Sequence, residues 1–311
     1  MVLRTRPWHG IMVATTLPFR PSHSPRPSRL SRDELSVDHD AYAAQVARLL
    51  AAGCDGVVPN GSLGEYQTLT DDERARVVRT AVAAAGGAGE RVMPGVSAYD
   101  SAAACRWAEQ AAEAGAGSVL LLPPNAYRAD AAAVRAHFAE VAAVGLPVVA
   151  YNNPFDTKVD LTPRLLAELH ADGSIVAVKE FSGDVRRAYE IAEVAPELDL
   201  LIGADDVLLE LALAGAVGWV AGYPNALPEA CGALYRAAVA QDLDTALPLY
   251  RALHPLLRWD SKPEFVQAIK LSMDLAGHRG GPTRPPRFPL PAGQSAQLRA
   301  ATEKLLADGH H

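Results

Sequence analysis

Three places in this 311-residue chain put side chains capable of covalent or proton-transfer chemistry at the ends of apolar runs. Lys179 closes the run Ser174-Ile175-Val176-Ala177-Val178-Lys179. Apolar surroundings disfavour an ammonium and lower its pKa, and a neutral amine in reach of a carbonyl condenses with it as a Schiff base. Tyr151 ends a second run and leads into Asn152-Asn153-Pro154. A phenol, with a pKa of about 10, serves as proton donor and relay. The segment Asn60-Gly61-Ser62-Leu63-Gly64-Glu65 sets glycines on both sides of a hydroxyl. Its backbone N–H groups can approach an anion closely, and Ser62 can bind a carboxylate or pass on a proton. Each also has a plainer reading. Lys179 could snorkel or pair with Glu180 or Asp184, Tyr151 could cap an apolar core, and the glycine segment could be an ordinary turn. Lysine is scarce, however. Only Lys158, Lys179, Lys262, Lys270 and Lys304 occur among 29 basic residues, so a lysine in an apolar context stands out.

These residues lie in a repeating pattern. Short Val/Ile/Leu-rich runs at Ile11–Thr15, Gly56–Pro59, Arg91–Val96, Ser118–Leu122, Pro147–Tyr151, Ile175–Lys179, Leu198–Ile202 and Gly218–Ala221 read as buried parallel strands. Amphipathic stretches between them predict helices over His39–Ala52, Asp71–Ala85, Ala102–Ala114, Ala131–Val144, Pro163–His170, Val185–Val194 and Val207–Ala214. Eight such units predict an α/β fold, a (β/α)8 TIM barrel. The alternative, an open doubly wound sheet, normally carries a GxGxxG turn after its first strand; here that turn reads Thr15-Thr16-Leu17-Pro18-Phe19. In such a barrel the strand ends carrying Lys179 and Tyr151 face the active site. The barrel is expected over 1–225, with residues 20–36 a Pro/Ser/Arg-rich loop insertion, and a C-terminal helical domain over 226–311.

Composition narrows the function. With 49% hydrophobic and 21% charged residues the chain is globular. A net charge of −7 argues against a nucleic-acid partner, and no apolar run approaches the roughly 20 residues of a membrane span. Cys54, Cys105 and Cys231 form no CxxC pair, and the N-terminus lacks a signal-peptide core, so a cytoplasmic location is expected. The histidines are scattered without metal-ligand spacing, and no metal site is expected. Asp205-Asp206 read as caps of the following helix. Asn125 or Tyr127 could hang over the barrel mouth.

Together these pieces resemble the dihydrodipicolinate synthase / N-acetylneuraminate lyase family of class I Schiff-base aldolases. Four motifs match in order: Gly10 through Thr16-Leu17-Pro18-Phe19; Gly61-Ser62-Leu63-Gly64-Glu65 with Leu69-Thr70 and Glu73-Arg74; Tyr151-Asn152-Asn153-Pro154; and Val178-Lys179-Glu180 with Ser182-Gly183-Asp184 and Gly203-Ala204-Asp205. The resemblance implies Lys179 as Schiff-base lysine, Tyr151 and Ser62 as catalytic partners, and Gly61, Leu63, Asn125, Asn153 and Gly203 as substrate-binding positions. It also implies a small 2-oxo or cyclic imino acid substrate, no cofactor beyond the covalent lysine, and a homo-oligomer, commonly a tetramer.

Departures from the family pattern bear on substrate. Where the synthase itself carries two adjacent threonines, this chain has Ser62 and Leu63. Ala126 stands where a relay tyrosine is expected, and Asp156 where an arginine binds the second substrate's carboxylate. The chain looks more like catabolic members, and the expected activity is a dehydratase or deaminase, such as a 1-pyrroline-4-hydroxy-2-carboxylate deaminase or a sugar-acid dehydratase. The alternatives are a pyruvate-dependent aldolase or 4-hydroxy-tetrahydrodipicolinate synthase, and a non-catalytic binding protein on the same scaffold.

Overall fold

A computed structural model describes residues 6–21, 35–124 and 127–311. Its centre is a parallel sheet in the order β4-β1-β9-β8-β7-β6-β5. These strands are β1 (Gly10–Ala14), β4 (Gly56–Val58), β5 (Val119–Leu121), β6 (Val148–Asn152), β7 (Ala177–Glu180), β8 (Asp199–Ile202) and β9 (Gly218–Ala221). The gap between β4 and β5 is spanned by single bridges, Val57 to Val92 and Gly95 to Leu120, which complete the barrel. The expected strand over Arg91–Val96 is thus reduced to bridges. Pro94 sits in its middle and has no N–H to give to a ladder, although its carbonyl still accepts from Leu120 N.

Strand alternation sorts the core into two layers. Met12, Val58, Val149, Tyr151, Leu201 and Val220 point into the barrel. Ile11, Val13, Val57 and Val178 point outward, against the helices. The helices are α1 (His39–Ala51), α2 (Asp71–Ala84), α3 (Ser101–Glu113), α4 (Ala131–Ala142), the single-turn α5 (Pro154–Thr157), α6 (Pro163–Ala171), α7 (Arg186–Val194), α8 (Leu208–Leu213) and α9 (Pro228–Val239). Side-chain caps set several starts: Asp38 for α1, Asp100 for α3, Asp130 for α4, and a Thr70/Glu73 capping box for α2.

Of three further helices, α10 (Leu243–Leu257), α11 (Phe265–Leu275) and α12 (Ala292–Ala307), α10 packs on α9 and α12 packs on α10 and α11. The 20–36 insertion begins and ends in a short antiparallel ribbon of β2 (Phe19–Pro21) and β3 (Leu35–Val37); residues 22–34 lie outside the described residues. Among the described residues no helix is long and apolar enough to cross a membrane.

The reading of Asp205-Asp206 as helix caps is corrected. Helix α8 begins without a side-chain cap. Asp205 is fully buried and accepts hydrogen bonds from Trp219 Nε1 (2.9 Å) and the backbone N–H groups of Gly222 and Tyr223. It ties the end of β8 to the end of β9, because three fixed donors hold a buried carboxylate better than a solvated helix start would.

Candidate active site

Parallel pairing of β6 and β7 sets Tyr151 directly beside Lys179. Both side chains point into the barrel, so the Lys179 amine lies 4.0 Å from the centroid of the Tyr151 ring and 5.6 Å from that of Phe181. Lys179 is only 6% exposed. Burial pushes its pKa down to about 8, against the pull of the Asp260 and Asp205 carboxylates. Burial also raises the Tyr151 phenol well above its usual 10, and the charges of Asp260 and Asp156 add to the rise. The amine does not pair with the neighbouring acids in sequence. Glu180 faces the opposite side of the strand and accepts from Asn152 Nδ2 (2.9 Å), and Asp184 is held by Arg186.

Opposite them, the Asn60–Glu65 segment is a tight double turn. Gly64 N donates to Gly61 O and Glu65 N to Ser62 O. The N–H groups of Ser62 and Leu63 have no acceptor among the described residues. Asn60 adopts φ 56°, and the turn rests on Gly95, where a Cβ would lie 2.4 Å from the Asn60 carbonyl oxygen. Only glycine permits that approach.

Gly61, Ser62, Leu63, Tyr151, Asn153 and Lys179 all line one cavity of about 570 Å³ at the C-terminal ends of the strands. Asn153 is buried there; its Nδ2 donates to Asp156 (2.8 Å) and lies 3.4 Å from the Tyr151 hydroxyl. Gly203 does not line the cavity. It stands behind the lysine, where a Cβ would meet Glu180 O at 2.3 Å and Lys179 Cγ at 3.1 Å. Asn125 lies outside the described residues. Tyr127 is 63% exposed and is not part of this wall.

Other lining residues escaped sequence reasoning. Asp260, Ser261 and Lys262 reach the cavity from the turn between α10 and α11, and Lys158 from the end of α5, beside the Asp156 already singled out in the sequence. The scarcity of lysine was a usable signal, because three of the five (Lys158, Lys179 and Lys262) line this cavity. No motif announces Asp260. Burial raises the pKa of both Asp205 and Asp260. Asp260 adds to the rise at Asp205, and Lys179 pulls Asp260 back down. Among the described residues no three His, Cys, Asp or Glu side chains form a metal-ligand set.

Fold and site define an α/β-barrel protein with a buried amine and a phenol at its mouth. Comparison with known proteins agrees. The model of the dihydrodipicolinate synthetase family matches residues 32–305. A 4-hydroxy-tetrahydrodipicolinate synthase from Methanosphaerula palustris is 31% identical over 94% of this chain and 97% of its own length. A protein named an uncharacterized DapA-like lyase from Rhizobium meliloti is 31% identical over 98% of both chains. The crystal structure of an E. coli prophage protein of the dihydrodipicolinic acid synthase family, in complex with pyruvate, superposes with a TM-score of 0.85 at 25% identity, covering 96% of this chain and 98% of that one. The chain belongs to the dihydrodipicolinate synthetase family, whose members are class I Schiff-base lyases.

Proposed function

We propose that Lys179 forms a Schiff base with a small 2-oxo or cyclic imino acid and that the chain dehydrates or deaminates it. One observation carries this reading: a buried amine sits over the Tyr151 ring in a cavity that Ser62 and Leu63 also line. With a pKa near 8, roughly one amine in ten is neutral at pH 7, against fewer than one in a thousand for an ordinary lysine. Lys179 attacks C2, water or the ring nitrogen leaves that carbon, and the resulting iminium acidifies the C3 proton. Tyr151 and the Ser62 hydroxyl, with water, move protons, and a group leaves from C4. Water then hydrolyses the iminium to free Lys179. In the cyclic substrate the nitrogen still held on C5 tautomerises to an imine that a second water hydrolyses, releasing ammonia. The Gly61–Leu63 turn holds the substrate carboxylate through its N–H groups. Asn153 aligns the phenol, and Gly203 leaves room for the lysine stem. No organic cofactor or metal is required for these steps.

Aspartate at 156 supports elimination over condensation. It lines the cavity and accepts from Asn153, where the resemblance expects a cation for a second substrate's carboxylate. Leu63 likewise lacks the second hydroxyl. The other reading, 4-hydroxy-tetrahydrodipicolinate synthase or a pyruvate aldolase, is favoured by the names of relatives such as that from Methanosphaerula palustris. Incubation with pyruvate and borohydride should add the mass of a reduced adduct at Lys179; an adduct elsewhere, or none, sinks the covalent mechanism. Turnover of 4-hydroxy-2-oxo acids and hydroxylated pyrroline carboxylates, against condensation of pyruvate with aspartate semialdehyde, separates the two readings. A homotetramer in the cytoplasm is part of this proposal, and light scattering of the purified chain tests the assembly.

A further inference from the structure

Three residues of the matching motifs (Phe19, Glu65 and Glu73) have no part in the chemistry above, yet they meet at one place. Glu65, the last residue of the carboxylate turn, is fully buried and adopts left-handed backbone at φ 54°, ψ 37°. Such a conformation is unfavourable for a residue with a side chain and persists only where its surroundings impose it. Both carboxylate oxygens are engaged by the C-terminal part of the chain. Oε1 accepts from Lys270 Nζ at 2.9 Å, and Oε2 from the backbone N–H of Arg284 at 2.8 Å.

Lys270 lies on the buried face of α11 and also donates to Pro282 O at 2.7 Å. The Arg284 guanidinium reaches Glu73 at 2.6 Å, Thr68 O at 3.0 Å and Leu35 O. The Phe19 ring lies 4.7 Å from the Lys270 amine and 4.6 Å from the Arg284 guanidinium carbon. This cluster joins the start of the barrel, the carboxylate turn, the first turn of α2 and the segment after α11. A buried ion pair is a poor source of net stability, because desolvation offsets most of its attraction. What its directional bonds do supply is geometry. Here they hold the residue that follows Gly64, and so the direction of the Ser62 and Leu63 N–H groups.

We infer that the Glu65–Lys270–Arg284 cluster positions the substrate-carboxylate turn, so that residues outside the barrel set affinity for the 2-oxo acid without touching it. This rests on the Schiff-base reading above.

The test uses the full chain with pyruvate as probe. Borohydride-trapped adduct at Lys179 is measured against pyruvate concentration for the unsubstituted protein, Lys270→Met and Glu65→Gln, together with thermal unfolding and amide hydrogen exchange. Half-saturating pyruvate should rise about 10- to 100-fold in each variant, since small misplacements of binding groups cost that much, while the maximal trapping rate stays within about three-fold. Amides of residues 61–65 should exchange faster, and those of β6 and β7 should not. Glu65→Gln preserves shape and supplies the answer if Lys270→Met fails to fold. A lowered unfolding temperature with unchanged half-saturation makes the cluster merely structural and overturns the inference alone. Absence of any adduct in the unsubstituted protein overturns the Schiff-base reading and this inference with it.

Discussion

Burial lowers the pKa of the Lys179 amine and so makes it a burden on the fold. Moving an amine from 10.5 to about 8 corresponds to roughly 3 kcal/mol. The sign follows from proton linkage. Between about pH 8 and 10.5 the unfolded chain binds the proton and the folded chain does not, so stability rises with pH through that window. The penalty is present in full below about 8 and fades as pH approaches 10.5. Lys179→Met should therefore be more stable than the unsubstituted protein at pH 7, by up to about 3 kcal/mol in urea unfolding, and the difference should close near pH 10.5. A constant difference at both pH values contradicts the assignment of a depressed lysine. Borohydride trapping in the unsubstituted protein should climb with pH to a midpoint near 8. Tyr151→Phe should keep the fold and the adduct yet slow turnover by about 10²–10⁴-fold, the usual cost of removing a proton-transfer group; a normal kcat would remove the phenol from the mechanism.

Elements decide whether those groups meet. Tyr151 and Lys179 are neighbours because β6 and β7 pair in one register, and a slip of one residue would turn either side chain out of the barrel. The next strand controls the space behind the amine. At Gly203 an added Cβ would meet the Glu180 carbonyl oxygen at 2.3 Å, and backbone cannot move aside as a side chain can. Gly203→Ala should destabilise the chain by about 1–3 kcal/mol, as overpacking does, and should slow adduct formation because the lysine stem is displaced. Normal trapping kinetics in a destabilised Gly203→Ala protein would separate this contact from the site.

At the scale of the whole molecule the terminal helices divide into a part that reaches the site and a part that only packs. The turn between α10 and α11 brings Asp260, Ser261 and Lys262 to the cavity wall, and α11 carries Lys270. Helix α12 instead buries Leu298, Thr302 and Leu305. Leu298→Ala should cost about 2–5 kcal/mol, the range for a large-to-small change in a core, and should leave half-saturating pyruvate unchanged below the unfolding temperature. A shifted half-saturation would show that α12 too is coupled to the cavity.

Local chemistry made much of this protein legible from its residues. Short, continuously apolar runs and helical stretches of 3.6-residue period marked the barrel, and strand ends placed Lys179 and Tyr151 at its mouth. The reduced third strand was harder to see, since Pro94 breaks the ladder inside a run that is otherwise apolar and β-prone. What pattern could not yield was long-range proximity. Asp260, Lys262 and the Glu65–Lys270–Arg284 cluster are brought together by the packing of helices far apart in the chain, and the balance between burial and charge that lowers the Lys179 pKa exists only once that packing is complete. Sequence determined which groups could react; tertiary structure decided which of them share a cavity, because desolvation and directional bonds depend on where atoms are and not on their order along the chain.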